Sequence, residues 1–209
     1  MKLLIATPSP FARKVRIALR EKNIPCDETI DSPWNANAVA PNFNPLGKIP
    51  VLVTNDGTAL FDSRVIVEYL ENISNQVRLF PVNASEHIQT RQIEALADGI
   101  CDAVVLIVME HHRTAPLQSK DWIARQYLKV ENGVSSLNKR LNGNNWFVGD
   151  NLTIGDISAA CSLAYIDLRL PNFRWRTLYP SLANFLDLME KRASFRATRL
   201  KSQTIDAIT

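Results

Sequence analysis

The sequence predicts an α/β domain followed by an all-helical one, and three observations carry that reading. Short apolar, β-branched runs bounded by Pro, Gly and Asn fall within the first 61 residues. Ser74 to Ala84 is polar, contains Pro81 and has no periodicity, which marks a linker. From Ser85 onward, apolar residues recur at three- and four-residue steps. The expected organisation is residues 1–76, a linker over 77–84, and a helical domain over 85–209.

Lys2 to Ala6 reads as a buried strand closed by Thr7-Pro8-Ser9-Pro10. A helix follows, because Phe11, Val15, Ala18 and Leu19 share a face and Pro10 suits a first helical turn. Ser9 then lies beside a helix N-terminus, where free N–H groups and the helix dipole favour an anion. Ile24 to Ile30 is the second strand, and Asp31 to Asn44, with Pro33 and Pro41, is irregular. Pro50 to Thr54 is a strand, Asn55-Asp56-Gly57-Thr58 a hairpin turn, and Ala59 to Phe61 the returning strand. Proline at a strand entrance cannot donate to the ladder, and X-Pro is the bond that goes cis readily. A cis Ile49–Pro50 bond is therefore expected, turning outward a backbone edge on which a peptide can dock. After Asp62-Ser63, Ile66, Tyr69, Leu70 and Ile73 line one face of a helix. The order β-α-β-(α)-β-β-α, with a functional turn after the first strand and a proline opening the third, is thioredoxin-like. Thr7 to Pro10 stand where a redox protein would carry Cys-x-x-Cys, which argues against dithiol exchange.

In the helical part, Ser85 to His112 forms one long helix, with Gly99 as a kink or close-packing point. Ser119 to Arg140 forms a second and Ser181 to Lys191 a later one. Leu152-Thr153-Ile154-Gly155-Asp156-Ile157 is the strongest cap: Thr153 caps, Asp156 reaches back, and Leu152 meets Ile157 as the staple. The stripe Ile157, Ala160, Cys161, Ala164, Tyr165 and Leu168 makes this helix the expected centre of the second core.

Charged residues at 22% and hydrophobic ones at 46% of 209 residues are ordinary for a globular protein and exclude the composition of disorder. The apolar run Ala103 to Met109 is too short to span a bilayer. Met1 to Ala6 reaches Thr7-Pro8 before a secretory core completes itself, so the cytoplasm is the expected location, without a membrane partner. Cys26, Cys101 and Cys161 are odd in number and far apart, which speaks against a disulfide framework or a metal site. A net charge of +3 does not argue for nucleic acid, and the cluster Arg13, Lys14, Arg16 and Arg20 reads as a solvated helix face.

Four motifs, in this order and spacing, carry a family resemblance over essentially the whole chain. They are Ser9-Pro10-Phe11-Ala12-Arg13-Lys14-Val15-Arg16, Asn44 to Leu52, Phe61-Asp62-Ser63 before a helix, and Thr153-Ile154-Gly155-Asp156 opening one. The sequence resembles a cytosolic glutathione transferase, most of all the bacterial members with serine at the active position. Asp62 departs from the pattern, standing where glutamate or glutamine is commoner.

The resemblance implies an enzyme that conjugates glutathione, a co-substrate rather than a resident cofactor, to a small electrophile, or reduces peroxides with it. It implies Ser9 as the catalytic residue, donating a hydrogen bond to the thiolate. The Ile49 main chain would pair with the cysteinyl backbone beside the cis Pro50, and Lys48 with the glycyl carboxylate. Asp62 would meet the γ-glutamyl ammonium, and Ser63 with its helix terminus the carboxylate. The second substrate is barely constrained: His111, His112, Arg113, Tyr165 and Trp175 read more readily as packing or surface residues than as lining of its cleft, and none as catalytic. A detoxifying homodimer is the implied assembly. The alternative is a non-catalytic partner-binding or regulatory protein on the same fold.

Overall fold

The strands β1 (Lys2–Ile5), β2 (Asp27–Ile30), β3 (Val51–Val53) and β4 (Ala59–Leu60) form one sheet in the order β2-β1-β3-β4. They belong to a computed structural model that describes residues 1–203. β1 runs parallel to β2 and antiparallel to β3, with Leu4 opposite Val51, and β3 pairs antiparallel with β4, with Leu52 opposite Leu60. The helix α1 (Pro10–Glu21) crosses from β1 to β2, and α2 (Ser63–Ile73) follows β4. Leu3, Leu4, Val51 and Leu52 of the sheet, with Val15, Ala18, Ile66 and Leu70 of the helices, are all fully buried. This is the thioredoxin-like arrangement, and the 31–44 segment holds only a short 3-10 turn over Ala40–Asn42. The second strand starts at Asp27, three residues later than the pattern suggests, because Pro25 cannot donate to the ladder.

The described residues divide into two units, Met1–Leu79 with Ala193 to Gln203, and Phe80–Arg192. The short helix at Ala193–Arg196 belongs with the first unit because Phe195 is fully buried there. The Arg13 guanidinium lies 5.4 Å from the Phe195 ring and donates to its carbonyl at 3.3 Å. The same contacts correct the reading of a solvated basic face on α1. Arg13 and Lys14 are buried, and Arg16 and Arg20 both pair with Glu28 of β2, at 2.8 and 2.7 Å. At the far end of α1, the buried Lys22 ammonium meets Glu71 at 2.7 Å and the Val77 carbonyl at 2.6 Å, so α1, α2 and the chain after α2 are clamped together.

The second unit is built on α3 (Ala84–His112), α4 (Lys120–Leu141), α5 (Ile154–Arg169), α6 (Trp175–Leu178) and α7 (Pro180–Met189). Asn83 caps α3 and Ser119 caps α4. The close-packing glycines are not Gly99, where an added Cβ meets nothing within 4 Å, but Gly133 and Gly155. A Cβ on Gly133 would stand 2.5 Å from the Ile100 side chain, and one on Gly155 would stand 3.2 Å from both the Thr90 carbonyl and Ile93. Among the described residues, no helix is long and apolar enough to cross a membrane.

The capping box opens α5, the most buried helix of this unit. The Asp156 carboxylate is fully buried and accepts from the Thr153 N–H at 2.8 Å, the Thr153 hydroxyl at 2.6 Å and the Phe147 N–H at 2.9 Å. Burial pushes its pKa above the usual carboxylate range, against the pull of these three donors. Thr153→Ala removes the cap and should cost about 1 kcal/mol. Asp156→Asn presents an amide N–H₂ to buried donors and should cost about 2 kcal/mol or more. Urea denaturation checks the order: Asp156→Asn shifts the midpoint further than Thr153→Ala, with unchanged slope.

Candidate active site

The sheet register brings the predicted site segments to one end of the first unit. Continuing the β1–β3 pairing past Leu4 and Val51 sets Ala6 level with Ile49, and continuing β3–β4 past Leu52 and Leu60 sets Asp62 level with Pro50. The turn carrying Ser9, the approach to β3 and the start of α2 thus share the same edge.

Ser9 is the N-cap of α1 itself, half-buried, with its N–H on the Ala6 carbonyl at 3.0 Å. Its Oγ accepts from the Ala12 N–H at 3.1 Å. Because the cap uses the oxygen as an acceptor, the hydroxyl proton is left to donate outward. Neither Pro10 nor any residue of the first turn supplies an acidic group that would repel an incoming anion.

The Ile49–Pro50 and Phe61–Asp62 bonds are cis. Asn44, only 2% exposed, holds the loop before β3: its amide donates to the Lys48 carbonyl at 2.9 Å and its carbonyl accepts from the Leu46 N–H at 3.0 Å. Among the described residues, neither the N–H nor the C=O of Ile49 has a hydrogen-bond partner, and the exposed Lys48 ammonium meets no carboxylate. Asp62 caps α2 by accepting from the Arg64 N–H at 2.9 Å through Oδ1, and Ser63, 2% exposed, begins the helix. One edge of the first unit therefore offers a hydroxyl donor, a free peptide unit, a cation, a carboxylate and two helix N-termini.

Sequence reasoning missed three groups that shape this edge. Asn44 was read as a loop residue. Asp31, at the end of β2, accepts from the Val39 and Ala40 N–H groups at 3.0 and 2.7 Å and so folds back the 32–39 loop. Lys201 and Gln203 tie the C-terminal segment to Thr7, two residues before Ser9. The Lys201 N–H donates to the Thr7 carbonyl at 3.2 Å, the Thr7 hydroxyl to the Lys201 carbonyl at 3.2 Å, and the Thr7 N–H to Gln203 Oε1 at 3.3 Å. Contacts of such sequence separation leave no periodicity to read.

The histidines, Arg113 and the two aromatics singled out in the helical part take different positions. His111 and His112 border a cavity in the second unit. Arg113 is engaged by Glu110 at 3.1 Å. Trp175 is fully buried with its Nε1–H on Asp167 at 2.8 Å, and Tyr165 is 5% exposed, its pKa pushed up to about 12 by burial, so it stays a neutral phenol. Cys101 and Cys161 are buried, and burial raises the thiol pKa of the half-buried Cys26, so none of the three is an exposed low-pKa nucleophile.

A family model described as the N-terminal domain of glutathione S-transferase matches residues 8–73, and one for the C-terminal domain matches residues 120–188. The chain is also 37% identical over 198 residues to the GST-like protein YibF of Escherichia coli strain K12, covering 95% of this chain and 98% of that one. The chain belongs to the glutathione S-transferase family. Two solved structures resemble it closely along nearly their whole length. One is a glutathione S-transferase from Methylobacterium radiotolerans in complex with glutathione sulfonate, 40% identical, TM-score 0.96, covering 98% of this chain and 97% of that one. The other, from Methylobacillus flagellatus with glutathione bound, is 41% identical, TM-score 0.91, covering 94% of this chain and 98% of that one.

The tie between Thr7 and the C-terminal segment generates a test that does not depend on ligand. A chain shortened to end at Leu200 loses all three Thr7 hydrogen bonds, so the Thr7 amide should exchange with deuterium at least about tenfold faster while the Leu4 amide is unchanged. Hydrogen exchange read by mass spectrometry or NMR checks this.

Proposed function

We propose that the protein is a glutathione transferase in which Ser9 activates the thiol of glutathione for attack on a small electrophile. The observation that carries this is the Ser9 cap: its oxygen is committed to the Ala12 N–H, so its proton is available at the positive end of α1. A free thiol, with a pKa of about 8.5, is only a few per cent ionised at neutral pH. Raising its ionisation constant a hundredfold takes about 2.7 kcal/mol, which a charge-assisted hydrogen bond and a helix terminus can supply together. Ser9 acts as a donor to the sulfur and takes no proton.

The tripeptide matches the rest of the edge in chemistry. Its cysteinyl N–H and C=O complement the unpaired peptide unit of Ile49, in the manner of an added strand. Its γ-glutamyl ammonium suits the Asp62 carboxylate, while Ser63 and the opening amides of α2 suit the neighbouring carboxylate. Lys48 suits the glycyl carboxylate. The glutathione-bound relatives support this reading. In conjugation the carbon–sulfur bond forms as the charge passes to the departing leaving group or, on addition, to the electrophile, which takes a proton from water, and the neutral thioether no longer gains from Ser9, which favours product release. The assignment to the cytoplasm and to a homodimer belongs to the same proposal, by family likeness.

Calorimetric titration with glutathione and turnover of a halogenated nitrobenzene test the division of labour. Ser63→Ala and Asp62→Asn should weaken glutathione binding about tenfold. Ser9→Ala should bind glutathione within about threefold of the parent but turn over at least about tenfold more slowly. Its melting point should also fall, since the cap of α1 is lost at about 1 kcal/mol. Full activity in Ser9→Ala would remove Ser9 from the role. Absence of both binding and turnover in the parent would favour a partner-binding protein on this fold.

A further inference from the structure

The turn that closes α4, in the second unit, carries an exposed asparagine followed by glycine, Asn142–Gly143. We propose that Asn142 is a site of spontaneous deamidation, converted through a succinimide to isoaspartate and aspartate, with the Gly143 main-chain nitrogen as the nucleophile. That nitrogen gives up its proton and bonds to Asn142 Cγ, the Cγ–Nδ2 bond breaks, and ammonia leaves with the proton. Water then opens the ring at one of its two carbonyls. Attack at Cγ yields aspartate, and attack at the main-chain carbonyl leaves Gly143 joined through Cγ, as isoaspartate. Nothing is oxidised or reduced; an amide is exchanged for a carboxylate.

The sequence holds four Asn–Gly or Asp–Gly pairs able to form such a ring, and the structure separates them. Asn132–Gly133 has the same two residues but lies inside α4, where the Gly133 N–H belongs to the helical ladder and Gly133 packs against Ile100. Asp98–Gly99 lies inside α3. Asp56–Gly57 sits in the turn between β3 and β4, but the Gly57 N–H donates to the Thr54 carbonyl at 3.1 Å. The Asp56 carboxylate accepts from the Thr54 hydroxyl and from the Thr58 N–H. Those donors hold its pKa below the usual carboxylate range, and a carboxylate anion is a poor electrophile.

Asn142 differs in each respect. It ends α4 in the left-handed region, at φ 48° and ψ 36°, and Gly143 follows at φ 76°. Among the described residues, neither the Gly143 N–H nor the Asn142 side-chain amide has a hydrogen-bond partner. Ring closure swings the Gly143 nitrogen toward Cγ by rotation about ψ of Asn142. Within this turn the Asn144 N–H on the Leu141 carbonyl, at 2.8 Å, opposes that rotation, whereas at Asn132 the helical ladder on both sides opposes it. Gly143 brings no Cβ to crowd its nitrogen, and one placed there would meet nothing within 4 Å, so the turn has room to move. Either product sets a carboxylate beside the last carbonyls of α4, and isoaspartate adds a methylene to the main chain between the buried Leu141 and Phe147.

Ageing the full chain at mildly alkaline pH, in buffer and separately in concentrated urea, tests this by tryptic mass mapping. Cleavage at Lys139 and Arg140 puts Asn132 and Asn142 on different peptides. In buffer, aspartate and isoaspartate should accumulate at Asn142 at least about tenfold faster than at Asn132, and in urea the two rates should come within about threefold of each other. Labelling by an isoaspartyl methyltransferase should mark the aged parent and not aged Asn142→Gly, which keeps the left-handed turn. Equal rates at the two asparagines in buffer, accumulation at Asn144, Asn145 or Asn151 instead, a ratio that persists in urea, or undiminished label in Asn142→Gly would overturn the proposal.

Discussion

The hydrogen bond from the Ala12 N–H to Ser9 Oγ is the constraint on which the chemistry proposed for the first unit depends. It does two things at once. As a helix cap it satisfies one of the free amides of α1 and fixes where that helix begins. As a geometric device it assigns the serine oxygen to the protein and directs the serine proton away from it. The surrounding structure keeps that residue in place: the Ser9 N–H is bound to the Ala6 carbonyl, and Thr7 is tied to Lys201 and Gln203. A hydroxyl held so firmly pays little further ordering cost on meeting a ligand.

The register of a small mixed sheet accounts for the rest of the edge. Two antiparallel pairings, Leu4 with Val51 and Leu52 with Leu60, suffice to bring the end of β1, the entrance of β3 and the end of β4 together. Buried side chains then fix the loops: Asn44 braces the 44–48 turn and Asp31 braces the 32–39 segment. The function proposed for this edge rests on loops, but loops whose backbone is held by polar side chains that are themselves buried.

Much of this was legible in the sequence because its signals are local. The strand-turn-helix at Lys2 to Leu19, the hairpin at Asn55 to Thr58 and the Thr153–Asp156 box are each encoded within a few residues, and each stands in the structure where the pattern put it. What escaped is non-local. The return of Phe195 to α1, the bracing by Asn44 and the burial of Arg13, Lys14 and Lys22 depend on residues far away in the chain, and a basic stripe looks the same whether its charges meet water or Glu28 and Glu71. Gly99 drew attention on composition alone, whereas the glycines that matter, Gly133 and Gly155, are set by which helix approaches them.

The activation of a thiol by a capped serine is tested most directly by the ultraviolet difference spectrum of glutathione with the purified protein, followed from pH 5 to pH 9 at about 240 nm, where thiolate absorbs. A bound thiol that ionises well below its free value of about 8.5, and returns toward it when Ser9 is replaced by alanine, is the predicted result. Bound glutathione that ionises at its free value, or an equally lowered value without the serine, would contradict it.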